Sequence, residues 1–462
     1  MTEVTSALPG TRADTDREAS ALEKGGPGST RLNHFEEKSP PMDNGGGRLD
    51  PAVYFSEELR LKEWSTLWSR VWLVAGRVSD LSEPGDYITF KIEHESILVV
   101  RTKEGKLKAF YNVCLHRGNR LAHSTVGSAP RGFSCSYHGW RYEVDGSLAE
   151  ITQRERFPEE AICDLKGLSP VHVDEWGGFV FVSLNPEPEP LLEYLGVIPD
   201  HLEPYHFERL VVVSDMVTEW PVNWKTAVDN FSESYHVNWV HPGIPAGFDE
   251  NHQYDLYSNG ISRTLNILET TATSLPSDTE APDKLKVVLY DLGEDPKNFT
   301  GTVGELTSLV KRLRAERAEL LGLDVERIAS AHVYYSLFPN CILSVHPEGI
   351  LFLQVSPSQQ RVDRCELRIM VLVHPVDDPN YNLPDYIGLP PGTDLSGNER
   401  PDQVRVPFGE PLGGVLDEDV AIVPYVQQGM ASAGFRGLVL GEQEQRIRHF
   451  HSELRRYLDG NK

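Results

Sequence analysis

The sequence predicts an α+β protein in which a small all-β domain precedes a larger domain of antiparallel strands and packed helices. Three observations carry this reading. Between residues 80 and 178, short β-like runs alternate with turn dipeptides such as Glu104-Gly105 and Asp145-Gly146. Two later stretches, Trp224 to Trp239 and Gln443 to Leu458, read as helices. Between them lie apolar runs of strand length at Val333 to Phe338, Cys341 to Val345 and Ile350 to Ser356.

Taken in order, residues 1–48 mix charges with Gly25-Gly26-Pro27-Gly28, Pro40-Pro41 and Gly45-Gly46-Gly47, and predict a mobile arm that cannot offset its ordering entropy by burial. Residues 49–79 predict a helical segment. Leu59, Leu61, Trp64, Leu67, Trp68 and Val71 are spaced to form one apolar face of a helix of about 15 residues. Strands are expected at Tyr87 to Ile92, Glu95 to Arg101, Leu107 to Asn112, Phe133 to Ser136 and Trp140 to Val144, within a first domain of residues 80–178. The second domain, 179–462, begins with the apolar run Phe179 to Leu184 and a proline-rich hinge. Its last helix sets Ile447, Phe450, Leu454 and Tyr457 on one face, which should pack on the core. Residues 269–330, with a helix around Leu306 to Leu321, and 376–412 read as insertions.

Composition narrows the functions open to such a fold. Lys and Arg total 44 against 69 Asp and Glu, a formal charge of −25, so there is no basic footprint for nucleic acid. No apolar stretch approaches the roughly 20 residues of a bilayer span, and the N-terminus lacks a secretory apolar core, so a cytoplasmic protein with no membrane association is expected. Five cysteines are too few for a disulfide framework. Cys163, Cys341 and Cys365 read as reduced thiols beside apolar neighbours.

The other two cysteines belong to matched runs, Cys114-Leu115-His116 and Cys135-Ser136-Tyr137-His138, separated by residues 117–134. Two thiolates with two imidazoles suit either a tetrahedral zinc ion or a [2Fe–2S] cluster with one iron on Cys and the other on His. Downstream, Glu233, His236 and His241 lie within nine residues. Glu233 and His236 share a helix face, whereas His236 and His241 stand about 140° apart on an ideal helix. The chain must therefore bend or end near His241, where Pro242-Gly243 follows. Two histidines need one carboxylate to complete the facial set that holds Fe(II) with positions left open. Glu233 and the remote Asp417-Glu418-Asp419 run both qualify.

These stretches resemble the α subunits of Rieske non-haem iron oxygenases. The resemblance rests on Asn112 to Gly118, on Cys135 to Trp140, and on Asn223-Trp224-Lys225 through Asp229-Asn230-Phe231 to Glu233, His236 and His241. Glu418-Asp419-Val420 and Gln427-Gln428-Gly429 match more weakly, and the whole spans roughly residues 50 to 455. It implies a Rieske domain joined to a helix-grip catalytic domain. By resemblance, Cys114 and Cys135 would hold one iron of a [2Fe–2S] cluster and His116 and His138 the other, while His236, His241 and Asp419 would bind a mononuclear iron, with Asp417 as runner-up. Glu233 would bridge His236 to a cluster histidine of the neighbouring subunit. The implied partners are a separate reductase or ferredoxin drawing on NAD(P)H, O₂ as co-substrate, and further copies in a homotrimer or an α3β3 assembly. The expected activity is hydroxylation of an organic, aromatic substrate. Glu at position 233, where many ring dioxygenases of the family carry Asp, shifts weight toward an α-only trimer and toward O- or N-demethylation or quaternary-amine monooxygenation. Pocket walls are expected from the segments around Phe231, Tyr335, Leu337, Leu343 and Phe352. The rival from another class is a zinc-stabilised, non-catalytic ligand-binding protein.

Overall fold

The computed structural model describes residues 38–244, 252–266, 275–328, 333–376, 381, 389–390 and 392–462. The expected arm lies mostly outside the described residues, as do parts of both insertions.

The first half of the chain folds as strands β1 (Trp72–Arg77), β2 (Asp86–Ile92), β3 (Glu95–Arg101), β4 (Leu107–Tyr111), β5 (Val126–Ser128), β6 (Phe133–Ser134), β7 (Arg141–Tyr142), β8 (Leu148–Glu150), β9 (Pro170–Trp176) and β10 (Phe179–Ser183). Seven form one sheet in the order β1-β10-β9-β4-β3-β2-β5, and β6-β7-β8 form a small second sheet. The turn signals at Glu104-Gly105 and Asp145-Gly146 fall between consecutive strands, as alternation required.

Both ends of this sheet correct the expected boundaries. β1 lies in the segment read as helical, and β10 in the stretch given to the second domain, yet they pair with each other from Trp72↔Ser183 to Arg77↔Phe179. The run Trp72-Leu73-Val74 favours a strand, and a partner 100 residues on was invisible to local periodicity. The helix that precedes it is correspondingly short. α1 (Glu57–Glu63), capped by the Ser56 side chain, passes into a wide turn over Trp64–Trp68 and stops. Leu67, Trp68 and Val71 are buried as expected, but Leu61 faces solvent.

The second half is an eight-stranded sheet in the order β12-β13-β14-β15-β16-β17-β11-β18. Its strands are β11 (Val211–Trp220), β12 (His252–Leu256), β13 (Ser262–Asn266), β14 (Val333–Leu337), β15 (Cys341–His346), β16 (Gly349–Pro357), β17 (Cys365–Val373) and β18 (Val404–Arg405). All neighbours are antiparallel except the short β11/β18 pair. α2 (Trp224–Asn230) and α3 (Val237–Val240) replace the single helix expected there. α4 (Val303–Leu321) is closed by a Thr302/Glu305 capping box, and its inner residues join a small apolar cluster of the insertion. α5 (Leu416–Met430) and α6 (Gln445–Leu458) complete the domain.

The two faces of the large sheet have different neighbours. Phe352 stacks on Phe179 of β10 at 5.1 Å, and the Gln354 amide donates to the carbonyl of Val74 in β1. Tyr335 and Leu343 stand directly across from one another, and Leu343 from Phe352, so they share the face turned to the first sheet. The opposite face carries Ser262, Thr264, Ser336 and Ser344 and is covered by helices, with Arg446 of α6 bonded to the first three. Of the positions expected to line the pocket, Phe352 faces the first sheet and Tyr335 meets His201, while Ser336, the alternating neighbour of Tyr335, faces Arg446 of α6.

Candidate metal centres

The first centre is built on two loops of the β domain. One follows β4 and carries Cys114 and His116; the other joins β6 to β7 and carries Cys135 and His138. Both close alike: the N–H of Gly118 donates to the Cys114 carbonyl at 3.0 Å, and that of Gly139 to the Cys135 carbonyl at 2.9 Å. With φ of 77° and 75°, both positions need the left-handed conformation that glycine adopts without strain. The sulfurs point inward and the imidazoles outward. Cys114 and Cys135 are buried in the apolar core of the domain, His116 is half-buried and His138 exposed.

Polar groups converge on the sulfurs. The Tyr142 hydroxyl lies 3.3 Å from Cys114 Sγ while accepting the N–H of Leu115 at 2.9 Å, and the Asn119 amide reaches Cys135 Sγ at 3.6 Å. Burial pushes the Cys135 thiol up, but backbone N–H groups of Tyr137 and His138 and the Asn119 amide outweigh it, holding the thiol below its usual value. The two imidazole rings lie 4.5 Å apart, and the Trp140 indole stacks on His116 at 5.0 Å. His116 Nδ1 is buried with no hydrogen-bond partner. Burial, then His138 and Arg117, lower its pKa and favour the neutral imidazole that binds metal. A buried lone nitrogen beside two buried sulfurs fits metal ligation. In the second domain, one ligand atom each of His236, His241 and Asp419 lies within 4.8 Å of the others.

That compact group is the second centre. α2, capped by the Asn223 side chain, ends at Asn230, and the turn after it brings Glu233 under His236. His236 and His241 flank the single turn of α3, which is how two imidazoles on divergent helix positions come to face one atom. Asp419, in the first turn of α5, places Oδ1 3.4 Å from Nε2 of each histidine. Their other ring nitrogens are held by carboxylates: His236 Nδ1–H donates to Glu233 at 2.5 Å and His241 Nδ1–H to Glu418 at 2.7 Å. Both rings are thus fixed in the tautomer that turns Nε2 to the shared centre.

The electrostatics match a site built around a cation. Burial opposes charging His236, but Asp419 and Glu233 outweigh it and raise its pKa to about 10, and Asp419 with Glu418 raises that of His241. Burial likewise opposes ionisation of Asp419, yet the two histidines hold its carboxyl below the usual range. Asp419 Oδ1 is buried without a hydrogen bond. An orphaned carboxylate oxygen facing two Nε2 atoms is the donor set of a facial triad. Asp417 is elsewhere, accepting the N–H groups of Leu412 and Gly413, so the runner-up is a loop cap.

Comparison with known proteins agrees. A family model described as Rieske [2Fe-2S] domain matches residues 71–166, and one described as ring hydroxylating alpha subunit (catalytic domain) matches 207–460. The chain belongs to the ring-hydroxylating α-subunit family. The first domain is therefore a Rieske [2Fe–2S] domain, which removes the zinc-binding rival, and the second is the catalytic domain of this family. The carnitine monooxygenase oxygenase subunit of Acinetobacter pittii is 36% identical over 221 residues, 45% of this chain and 55% of the relative. The glycine betaine monooxygenase oxygenase subunit of Chromohalobacter salexigens is 35% identical over 195 residues, 42% of each. The chain thus spans about half the length of these curated relatives. In overall fold, naphthalene 1,2-dioxygenase with indole bound superposes at a TM-score of 0.63 and 22% identity, covering 88% of this chain and 91% of that one.

The structure places Cys114, His116, Cys135 and His138 on the two loops and His236, His241 and Asp419 together with Glu233 behind His236, while the other supports were missed. Glu418 was seen only as part of an acidic run. Tyr142 and Asn119 carried no signal at all, because their value lies in where the neighbouring loop places a sulfur.

Proposed function

We propose that the chain is the oxygenase component of a quaternary-amine monooxygenase, oxidising a carbon next to the ammonium nitrogen. The observation that carries the chemistry is the His236–His241–Asp419 set, whose imidazoles are oriented by Glu233 and Glu418. The substrate class is supported by the carnitine and glycine betaine oxygenases among the relatives.

In this reading Cys114 and Cys135 hold one cluster iron, His116 and His138 the other, and His236, His241 and Asp419 bind the mononuclear iron. When bound, the cluster relays single electrons and the mononuclear iron activates O₂. One oxygen atom enters a C–H bond of the substrate, and the other leaves as water with two electrons and two protons from the NAD(P)H-linked reductase. The chain's own residues supply ligation, ring orientation and a proton held at each Nδ1.

Glu233 transfers electrons between subunits, linking His236 to a cluster histidine of a neighbour in a homotrimer. Within the chain, among the described residues, no hydrogen bond, ion pair or ring contact joins the cluster loops to Glu233 or to the triad. The surface beside it is apolar and open: Tyr235, Trp239, Ile422, Tyr425 and Val426 are exposed. Such a patch next to an iron site suits a partner copy presenting exposed His138. No helix among the described residues is long and apolar enough to cross a membrane, and a cytoplasmic setting would provide the reductant.

The test is aerobic turnover of iron-loaded protein with reductase and a panel of quaternary amines, aryl ethers and aromatic acids. Formaldehyde or aldehyde from the quaternary amines, coupled to O₂ uptake, is expected. Turnover of aromatic acids alone would return the reading to ring hydroxylation.

A further inference from the structure

The helix-covered face of the large sheet holds a buried cation whose hydrogen bonds go to neutral hydroxyls. Arg446, 2% exposed, enters from the first turn of α6 and donates from Nε to Ser262 Oγ at 3.0 Å, from Nη1 to Thr264 Oγ1 at 2.7 Å and from Nη2 to Ser336 Oγ at 2.6 Å. Among the described residues no carboxylate pairs with it. Other buried cations of the domain do have one: Arg263 meets Asp255 at 2.6 Å, Arg368 meets Asp215 at 2.7 Å and Lys225 meets Glu63 at 2.6 Å. Burial lowers the pKa of Arg446 to about 10, so it remains charged at neutral pH. A buried guanidinium held only by neutral dipoles carries an uncompensated desolvation cost. It also has five N–H donors, of which these hydroxyls take three.

Its position gives that charge a use. Thr264 stands directly opposite Tyr254 on one side and Tyr334 on the other. The Tyr254 hydroxyl shares a 2.8 Å hydrogen bond with Ser234, the residue after Glu233, and the Glu233 charge is among those that act on Arg446. The guanidinium therefore lies on the face of the sheet that carries Tyr254, beside the turn that holds Glu233 behind His236.

We propose that Arg446 binds a carboxylate of the substrate, so that the ligand is a zwitterion whose anionic end is held at the sheet and whose ammonium end is turned toward His236, His241 and Asp419. This rests on the quaternary-amine reading and sharpens it. The hydroxyls of Ser262, Thr264 and Ser336 keep the guanidinium planar and aimed without neutralising it, which leaves the charge for the ligand.

The experiment measures binding by calorimetry under nitrogen, on full-length protein loaded with both iron centres. Four probes are used: glycine betaine, carnitine, choline and 3,3-dimethylbutanoate. Choline keeps the ammonium and lacks the carboxylate; dimethylbutanoate keeps the carboxylate with carbon in place of nitrogen. Wild type is expected to prefer one of the betaines over choline by roughly 30-fold, and Arg446→Gln to lose that factor while choline is unaffected. Arg446→Lys should recover part of it, because a cation returns without the fork. Equal binding of the betaines and choline by wild type overturns the anchor and leaves the quaternary-amine reading standing. Dimethylbutanoate binding as tightly as glycine betaine overturns that reading and supports the anchor. If Arg446→Gln does not fold, the wild-type comparison still decides, and wild type binding none of the four overturns both.

Discussion

The two Cys/His loops and the His236–His241–Asp419 set are proposed for one task, holding metal on a protein scaffold, at opposite extremes of chain distance. The cluster side chains come from two short runs within residues 114–138, each placed by a glycine-closed loop at a strand end. The triad joins His236 and His241 to Asp419, with a whole sheet and an insertion between them. A local site depends on turn geometry, which neighbouring residues dictate. A dispersed site depends on how α2, α3 and α5 dock, which the entire second domain dictates. The local site should accordingly survive changes that abolish the dispersed one.

The largest expected effect breaks the two apart. Asp419→Ala should remove the mononuclear iron and reduce turnover to background while the visible spectrum of the cluster persists; iron retained in full would move the assignment to another carboxylate. Glu233→Ala should come next. Both centres stay loaded, but reoxidation of the reduced cluster in the presence of substrate, followed by stopped-flow absorbance, should slow by on the order of 100-fold. Loss of iron instead would make Glu233 a ligand rather than a bridge.

Glu418→Gln tests the support of the second imidazole. Because its side chain is 39% exposed, water can replace part of the contact, and about a tenfold weaker affinity for Fe(II) is expected, read by metal competition. An unchanged affinity would show that the docking of α5 alone orients His241. The smallest effect belongs to the local site. Tyr142→Phe removes a hydroxyl 3.3 Å from Cys114 Sγ and should lower the cluster potential by on the order of tens of millivolts, with the cluster retained. A potential that does not move would mean the hydroxyl serves only the Leu115 N–H.

What could be read early, and what could not, follows the same division. Alternation and turn dipeptides located β2, β3 and β4, yet the same local reading made a helix of the residues that become β1. Only β10, far along the chain, offers those backbone groups their partners. Similarly, the segments around Tyr335, Leu343 and Phe352 were expected to line a pocket, but which residues of each strand met the helices was a matter of parity that apolar runs do not reveal. Arg446 reads as one arginine in a charged helix; that its partners are the hydroxyls of Ser262, Thr264 and Ser336 is visible only once α6 lies on β13 and β14.

From residue order alone came the Cys/His pairs, the Glu233–His236–His241 spacing, the family and the break in the chain after His241, because these are set within a few residues. Spatial assembly was needed to set Asp417 apart as a loop cap, to place Glu418 behind His241, and to surround Arg446 with neutral hydroxyls. Those depend on the directions in which separate elements point their side chains, and packing of the complete second domain, rather than any local propensity, sets those directions.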